Sequence, residues 1–268
     1  MSRLGGATAF AAEAALWISG AALIASAAGM HWSVPEVGGL TGAAASASAS
    51  ASPSPSLAVE SLAPGASPTI SPIVQKYQAY IARPDYQFKA KYVITETAAV
   101  GGLPYEIYMS GTMFYKAGDY TDSRRMAVNG TVTTFDYVYL GGSHYQSIDS
   151  GAWTKSARSA TDIASDKVMF APAMVFVDKG VETKNGAQLH RLDVADPVAY
   201  SKAMVKATSG ATDAQVTYTA WVGDDGTPAA LRIEGWIVGV VDKVSTKITV
   251  AFEFRLIPYV VPAISAPV

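Results

Sequence analysis

The chain has 268 residues, half of them hydrophobic, 16% charged and none cysteine, with a formal net charge of −2. Such apolar content can fill a core, which excludes a charged disordered tail; zero cysteine excludes a disulfide-stapled miniprotein, thiolate catalysis, cysteine-bound zinc and cysteinyl lipidation. Before Ile73 stand only Arg3, Glu13, Glu36 and Glu60, which leaves 19 of the 20 Lys and Arg and 19 of the 22 Asp and Glu in the remainder. That neutral remainder has no run of basic residues to attract nucleic acid or an anionic membrane surface.

Ala14 to Ala28, AALWISGAALIASAA, is fifteen residues without formal charge behind the weakly basic start Met1-Ser2-Arg3. With the small triplet Ala25-Ser26-Ala27 it has the form of an export signal and its cleavage site. Retention as an N-terminal membrane anchor is the second reading, with Ala7 to Trp32 supplying the length and Glu13 and His31 at the interfaces. A buried alanine-rich helix is the third. From residue 38 to residue 70 Ala, Ser, Pro and Gly dominate, side chains that bury little area and prolines that interrupt helices, so this stretch reads as a flexible tether. The expected organisation is therefore a signal peptide or anchor over 1–37, a linker over 38–70 and a folded domain over 71–268.

Ser71-Pro72 has the form of an N-cap and first helical residue, and Ile73, Tyr77, Tyr80 and Ile81 then share one helix face. The period changes to two at Tyr86, Phe88, Ala90, Tyr92 and Ile94, which marks a strand. Leu103 to Lys116 is a second strand, with Tyr105, Ile107, Met109, Gly111, Met113 and Tyr115 on one parity, followed by a turn at Gly118-Asp119. Extended segments follow at 124–128, 132–140, 144–148 and 152–155, separated by Gly130, by Gly141-Gly142 and by Asp149-Ser150-Gly151. Trp153 is expected to pack the last of these.

Between Ala160 and Ala173 the alternation fades, and a short helix or irregular cover is expected near 161–164. Extended structure returns at 174–177 and 186–194. Asp196-Pro197 then opens a helix containing Tyr200, Ala203, Met204 and Ala207. Val216 to Val222 and Leu231 to Gly239 flank the hairpin turn Asp224-Asp225-Gly226, and Ile248, Val250, Phe252, Phe254 and Leu256 alternate with polar residues in a last strand. Many strands, few helices and no repeated crossovers predict an α+β fold with a large curved antiparallel sheet, a half-barrel covered by short helices.

The order of Phe114-Tyr115-Lys116-Ala117-Gly118-Asp119-Tyr120, Tyr139-Leu140-Gly141-Gly142-Ser143-His144-Tyr145, Gly151-Ala152-Trp153-Thr154-Lys155 and Tyr218 to Pro228 resembles the strand-and-turn pattern of LolA-like and LppX/LprG-like envelope proteins. The resemblance covers Ser71 to Pro262. It implies a half-barrel closed by helices around an apolar cavity for a lipid or acylated ligand; with the leader and tether, the expectation is an exported, extracytoplasmic protein of the bacterial cell envelope, held at the membrane by its N-terminal segment, with an envelope protein as a further partner. Leu40-Thr41-Gly42 followed by Ala43 resembles a lipoprotein box with its cysteine replaced, so thioether-linked lipid is excluded here.

Candidate ligand-binding residues are Tyr86, Phe88, Tyr92, Met109, Met113, Phe114, Phe135, Phe252 and Phe254. Aromatic rings supply apolar area and thioethers adapt to an irregular ligand, although ordinary core packing accounts for the same residues. An enzyme is the weaker reading: His144 and His190 have no nucleophile in a recognisable arrangement, and His190 and Asp193 sit on opposite parities with no third metal ligand nearby. No phosphate-binding or dinucleotide motif occurs, and no cofactor or metal is expected. Asn129-Gly130-Thr131 fits a glycan acceptor but falls at a turn. Binding or transfer of a hydrophobic ligand is the expected function, and a non-catalytic envelope structural or interaction domain is the alternative.

Overall fold

The computed structural model describes residues 70–100, 103–128, 130–241 and 244–267, so the expected leader at 1–37 and all but the last residue of the expected linker at 38–70 lie outside the described residues. The elements in chain order are α1 (Pro72–Ile81), β1 (Gln87–Val100), β2 (Leu103–Lys116), β3 (Asp119–Val128), β4 (Thr131–Leu140), β5 (Ser143–Ile148), β6 (Thr154–Ala157), α2 (Ala160–Phe170), β7 (Phe176–Lys184), β8 (Ala187–Val194), α3 (Pro197–Ala207), β9 (Ala211–Val222), β10 (Pro228–Val241) and β11 (Val244–Ile257). The α+β expectation holds. One antiparallel sheet of eleven strands runs in the order β6-β5-β4-β3-β2-β1-β11-β10-β9-β8-β7.

Two meanders, β1 to β6 and β7 to β11, are joined where the first and last strands pair, with Lys89 opposite Ile257 and Ala98 opposite Ile248. The segment carrying α2 runs from one sheet edge, β6, to the other, β7. Alternation sorts the side chains. Along β3 the even residues Tyr120, Asp122, Arg124 and Met126 are buried while the odd ones are exposed or intermediate, so each strand has an inner and an outer face.

Local chemistry sets the helix starts. Ser159 accepts from the Asp162 N–H while the Asp162 carboxylate accepts from the Ser159 N–H, a reciprocal cap that resolves the ambiguous 160–173 stretch as α2. Asp196 caps α3 by accepting from the Ala199 N–H at 2.9 Å, with Pro197 in the first turn. Pro72 likewise opens α1, but Ser71 differs from expectation: its hydroxyl makes no cap and instead donates to Asp178 at 3.1 Å, tying the helix start to β7. The turn at Gly226 supports α1 from beneath. A Cβ there would stand 2.6 Å from the Lys76 backbone, and φ is +85°, so both the close approach and the conformation require glycine.

Trp153 departs from expectation. It precedes β6 and is 38% exposed, because the edge strand offers it no second layer to pack against. Beyond β11, residues 258–267 carry no helix or strand and turn back against the sheet, where the Val261 N–H is accepted by Gln87 Oε1 at 3.0 Å and Tyr259 meets Phe114.

Candidate functional site

The inner face of the sheet carries one continuous apolar cluster. Tyr86, Phe88, Tyr92, Met109, Met113, Phe135, Phe252 and Phe254 are all buried in it, so eight of the nine candidate residues share one interior. Phe114 does not. It lies on the opposite parity of β2, with its ring centroid 5.5 Å from Tyr259 and the Lys89 ammonium 5.2 Å from it, on the outer face. Its place in the chain beside Met113 and Tyr115 already assigns it to the other side.

The aromatic rings of the helices meet one part of this interior. Phe170 of α2 stands 5.5 Å from Phe88, 5.4 Å from Tyr115 and 5.5 Å from Phe254, and Phe88 stacks on Tyr115 at 4.9 Å. On β7 to β9, Tyr77 of α1 packs edge-on against Phe176, and Tyr200 of α3 against Tyr218. The hydroxyls of Tyr77 and Tyr218 pair at 3.0 Å, which satisfies two polar groups inside an apolar region. Further along the same face, toward the β3–β4 turn, lie Met109, Met126, Ile107 and Phe135, residues of the strands alone.

Polar groups interrupt the inner face on β1 to β6, and alternation alone did not single them out. Asp122 and Arg124 form a fully buried ion pair, and the Tyr92 hydroxyl donates to Asp122 at 2.7 Å. Tyr92 reaches it by crossing Gly111, where a Cβ would come within 2.5 Å of the phenol oxygen, so the strand between them must lack a side chain. The Arg124 guanidinium also covers the Tyr137 ring at 4.7 Å, and Gln146 Nε2 donates to the Tyr137 hydroxyl at 3.3 Å. Burial raises the Asp122 carboxyl above its ordinary range, with Arg124 and Tyr92 pulling the other way.

A second buried pair, Arg158 with Asp166, fastens α2 to the sheet, and Arg158 Nη1 also donates to the Gly118 carbonyl at 2.8 Å. Burial pushes Asp166 up to about 7. His144 stacks on Tyr139 at 4.4 Å with its Nδ1 3.3 Å from Ser156 Oγ, and burial lowers it to about 4, so it is neutral near pH 7. Held between an aromatic ring and the edge strand, His144 has the surroundings of a packed side chain.

His190 lies 3.6 Å from Asp178 and 3.4 Å from Asp224, whereas Asp193 takes hydrogen bonds from Arg191 and Thr219, each at 2.9 Å. The two residues therefore occupy opposite faces, as their spacing requires. Ser71 donates to Asp178 and has no bond to the imidazole, so Ser71, Asp178 and His190 are not ordered as nucleophile, base and orienting acid. Among the described residues no group of three or more ligating side chains could hold a metal ion. No described helix is long and apolar enough to cross a membrane.

No family model matches this chain, and no curated protein matches it. Among solved structures it is similar to LprF from Mycobacterium bovis, at 14% identity and a TM-score of 0.40 over 71% of this chain and 94% of that one. It is also similar to the lipoprotein LppX of Mycobacterium tuberculosis, at 11% identity and a TM-score of 0.39 over 71% and 96%. A LolA superfamily protein from Nitrosomonas europaea aligns at 10% identity and a TM-score of 0.27 over 70% and 93%.

Proposed function

We propose that this chain binds or transfers a hydrophobic ligand, a lipid or another acyl-bearing molecule, on the inner face of its sheet, outside the cytoplasm. The observation that carries the reading is the extent of that face. Aromatic and thioether side chains continue from the helix-covered end, at Phe88 and Phe254, to Met109, Met126 and Phe135 where the described helices make no ring contact. Close stacking at the Phe88–Tyr115–Phe170 end favours the Met109–Met126–Phe135 end for the acyl chain, because flexible thioethers rearrange around a ligand more readily than stacked rings. The apolar run at 14–28 supports export, with the segment over 38–70 as a tether to the envelope.

Solvent extraction of the purified full-length chain followed by mass spectrometry tests this. A stoichiometric co-purifying lipid is expected. Each methylene transferred from water contributes about 0.8 kcal/mol, so captured fatty acids are expected to weaken about fourfold per methylene removed. Repeated absence of lipid, together with failure to capture a fluorescent fatty acid, would overturn the proposal.

A further inference from the structure

On the outer face, the β7–β8 hairpin folds back over the sheet. Leu189, Trp221 and Ala230 form a small core separate from the main one. The Trp221 indole N–H donates to Glu182, and the Lys184 ammonium stands 4.3 Å above the Trp221 ring. These contacts fix the Asn185-Gly186 turn and leave a crevice of about 250 Å³ lined by Lys91, Val93, Lys184, Asn185, Glu253 and Arg255, together with Ala230 and neighbouring residues of the strands beneath.

Charge in that crevice is unbalanced. Lys91 and Arg255 are direct register partners on β1 and β11, and like charges placed opposite one another destabilise a strand pair. Lys184 adds a third cation from the hairpin. Among the described residues, the ion pairs within 4.0 Å involve other cations and include none of these three. The single carboxylate of the crevice, Glu253, faces Arg232 at 3.5 Å. Three cationic residues therefore line one recess from positions 91, 184 and 255, too far apart in sequence to register as a basic run.

We propose that this outer crevice binds a phosphate group, with Lys91 and Arg255 on its floor and Lys184 on its roof. Phosphate fits the surplus of positive charge, its oxygens match the planar fork of an arginine, and the Asn185 amide can donate to a further oxygen. The group could belong to a small phosphorylated compound or to a phospholipid headgroup, and one experiment separates the two.

The full-length chain is titrated with inorganic phosphate at constant ionic strength, made up with sodium chloride and followed by 1H–15N NMR. Saturable shifts at Lys91, Asn185 and Gly186 are expected, weakened at least about tenfold in Lys91→Gln/Arg255→Gln with the circular dichroism unchanged. If that double variant fails to fold, Lys184→Gln carries the same test. Sedimentation with phosphatidylglycerol vesicles, against phosphatidylcholine vesicles as reference, assigns the source. The apolar N-terminal run can partition into both, so the readout is the extra binding to phosphatidylglycerol that the variant loses. Extra vesicle binding lost in the variant points to a headgroup, and saturable phosphate binding without it points to a soluble compound. Equal shifts with chloride alone, or unchanged phosphate and vesicle binding in both variants, would overturn the proposal. Lipid capture on the inner face is expected to be unaffected by these substitutions, so failure here leaves the proposed function standing.

Discussion

Asp122 and Arg124 on β3 and Arg232 and Glu234 on β10 are the same chemical device in two places. In each, opposite charges stand two residues apart on one strand and therefore share a face. On the inner face their side chains are 0% and 4% exposed, and on the outer face 38% and 46%. The inner pair gave up its hydration and is held by Tyr92 and the Tyr137 ring, whereas the outer pair keeps its water and is screened by salt. What a strand pair contributes is thus set by which face it occupies, and a buried pair is costly to split even where it adds little net stability.

The largest expected effect comes from splitting the inner pair. Arg124→Leu leaves a buried carboxylate with its principal counter-charge removed and is expected to cost about 3–5 kcal/mol in urea unfolding. Asp122→Leu/Arg124→Leu is expected to cost less than Arg124→Leu alone, because no charge then stays buried. A double variant that is the less stable of the two would break the comparison.

The next effect is pH dependence on the inner face. His144 is depressed from 6.5 to about 4, so below pH 6.5 the unfolded chain takes up a proton that the folded chain refuses. Its contribution is full above pH 6.5 and is lost as pH falls toward 4. Asp166 runs the other way: raised from 3.8 to about 7, it contributes fully below pH 3.8 and loses that contribution as pH rises through 7. In thermal melts between pH 7 and 4, wild type is expected to lose stability relative to His144→Phe as pH falls, and parallel curves would show that this imidazole is not protected from protonation.

The smallest effect belongs to the outer face. Arg232→Ala removes contacts to Glu234 at 2.7 Å and Glu253 at 3.5 Å, yet is expected to change stability by less than about 1 kcal/mol. A loss as large as that of Arg124→Leu would show that exposure does not separate the two pairs.

Much of the fold was legible because period-two alternation is a direct consequence of strand geometry. Tyr86 to Ile94 and Ile248 to Leu256 alternate without interruption, and their buried residues meet in one interior. Phe114 shows the same rule applied to a misassigned residue: aromatic character suggested a ligand contact, while parity placed it outside. Polar residues at inner positions were harder to read. Asp122, Arg124, Gln146 and His144 alternate correctly, but polarity in a strand ordinarily marks the wet side, and only a partner across the interior makes burial tolerable. Those partners, Tyr92 for Asp122 and Tyr139 for His144, come from other strands.

Residue order by itself determined most of the strands and turns, the helix starts at Pro72 and Pro197 and the α+β class, because each follows from backbone preferences and side-chain period over a few neighbouring residues. It missed most of β7, expected at 174–177 and found at Phe176–Lys184, whose Asp178-Lys179-Gly180 and Glu182-Thr183-Lys184 runs hide the alternation. Tertiary structure alone decided that β1 meets β11, that the segment bearing α2 runs from edge to edge, and that Lys91, Lys184 and Arg255 converge on one crevice. The physical reason is range: propensity and periodicity act over a few residues, whereas the β1–β11 pairing and the gathering of Lys91, Lys184 and Arg255 join segments more than seventy residues apart.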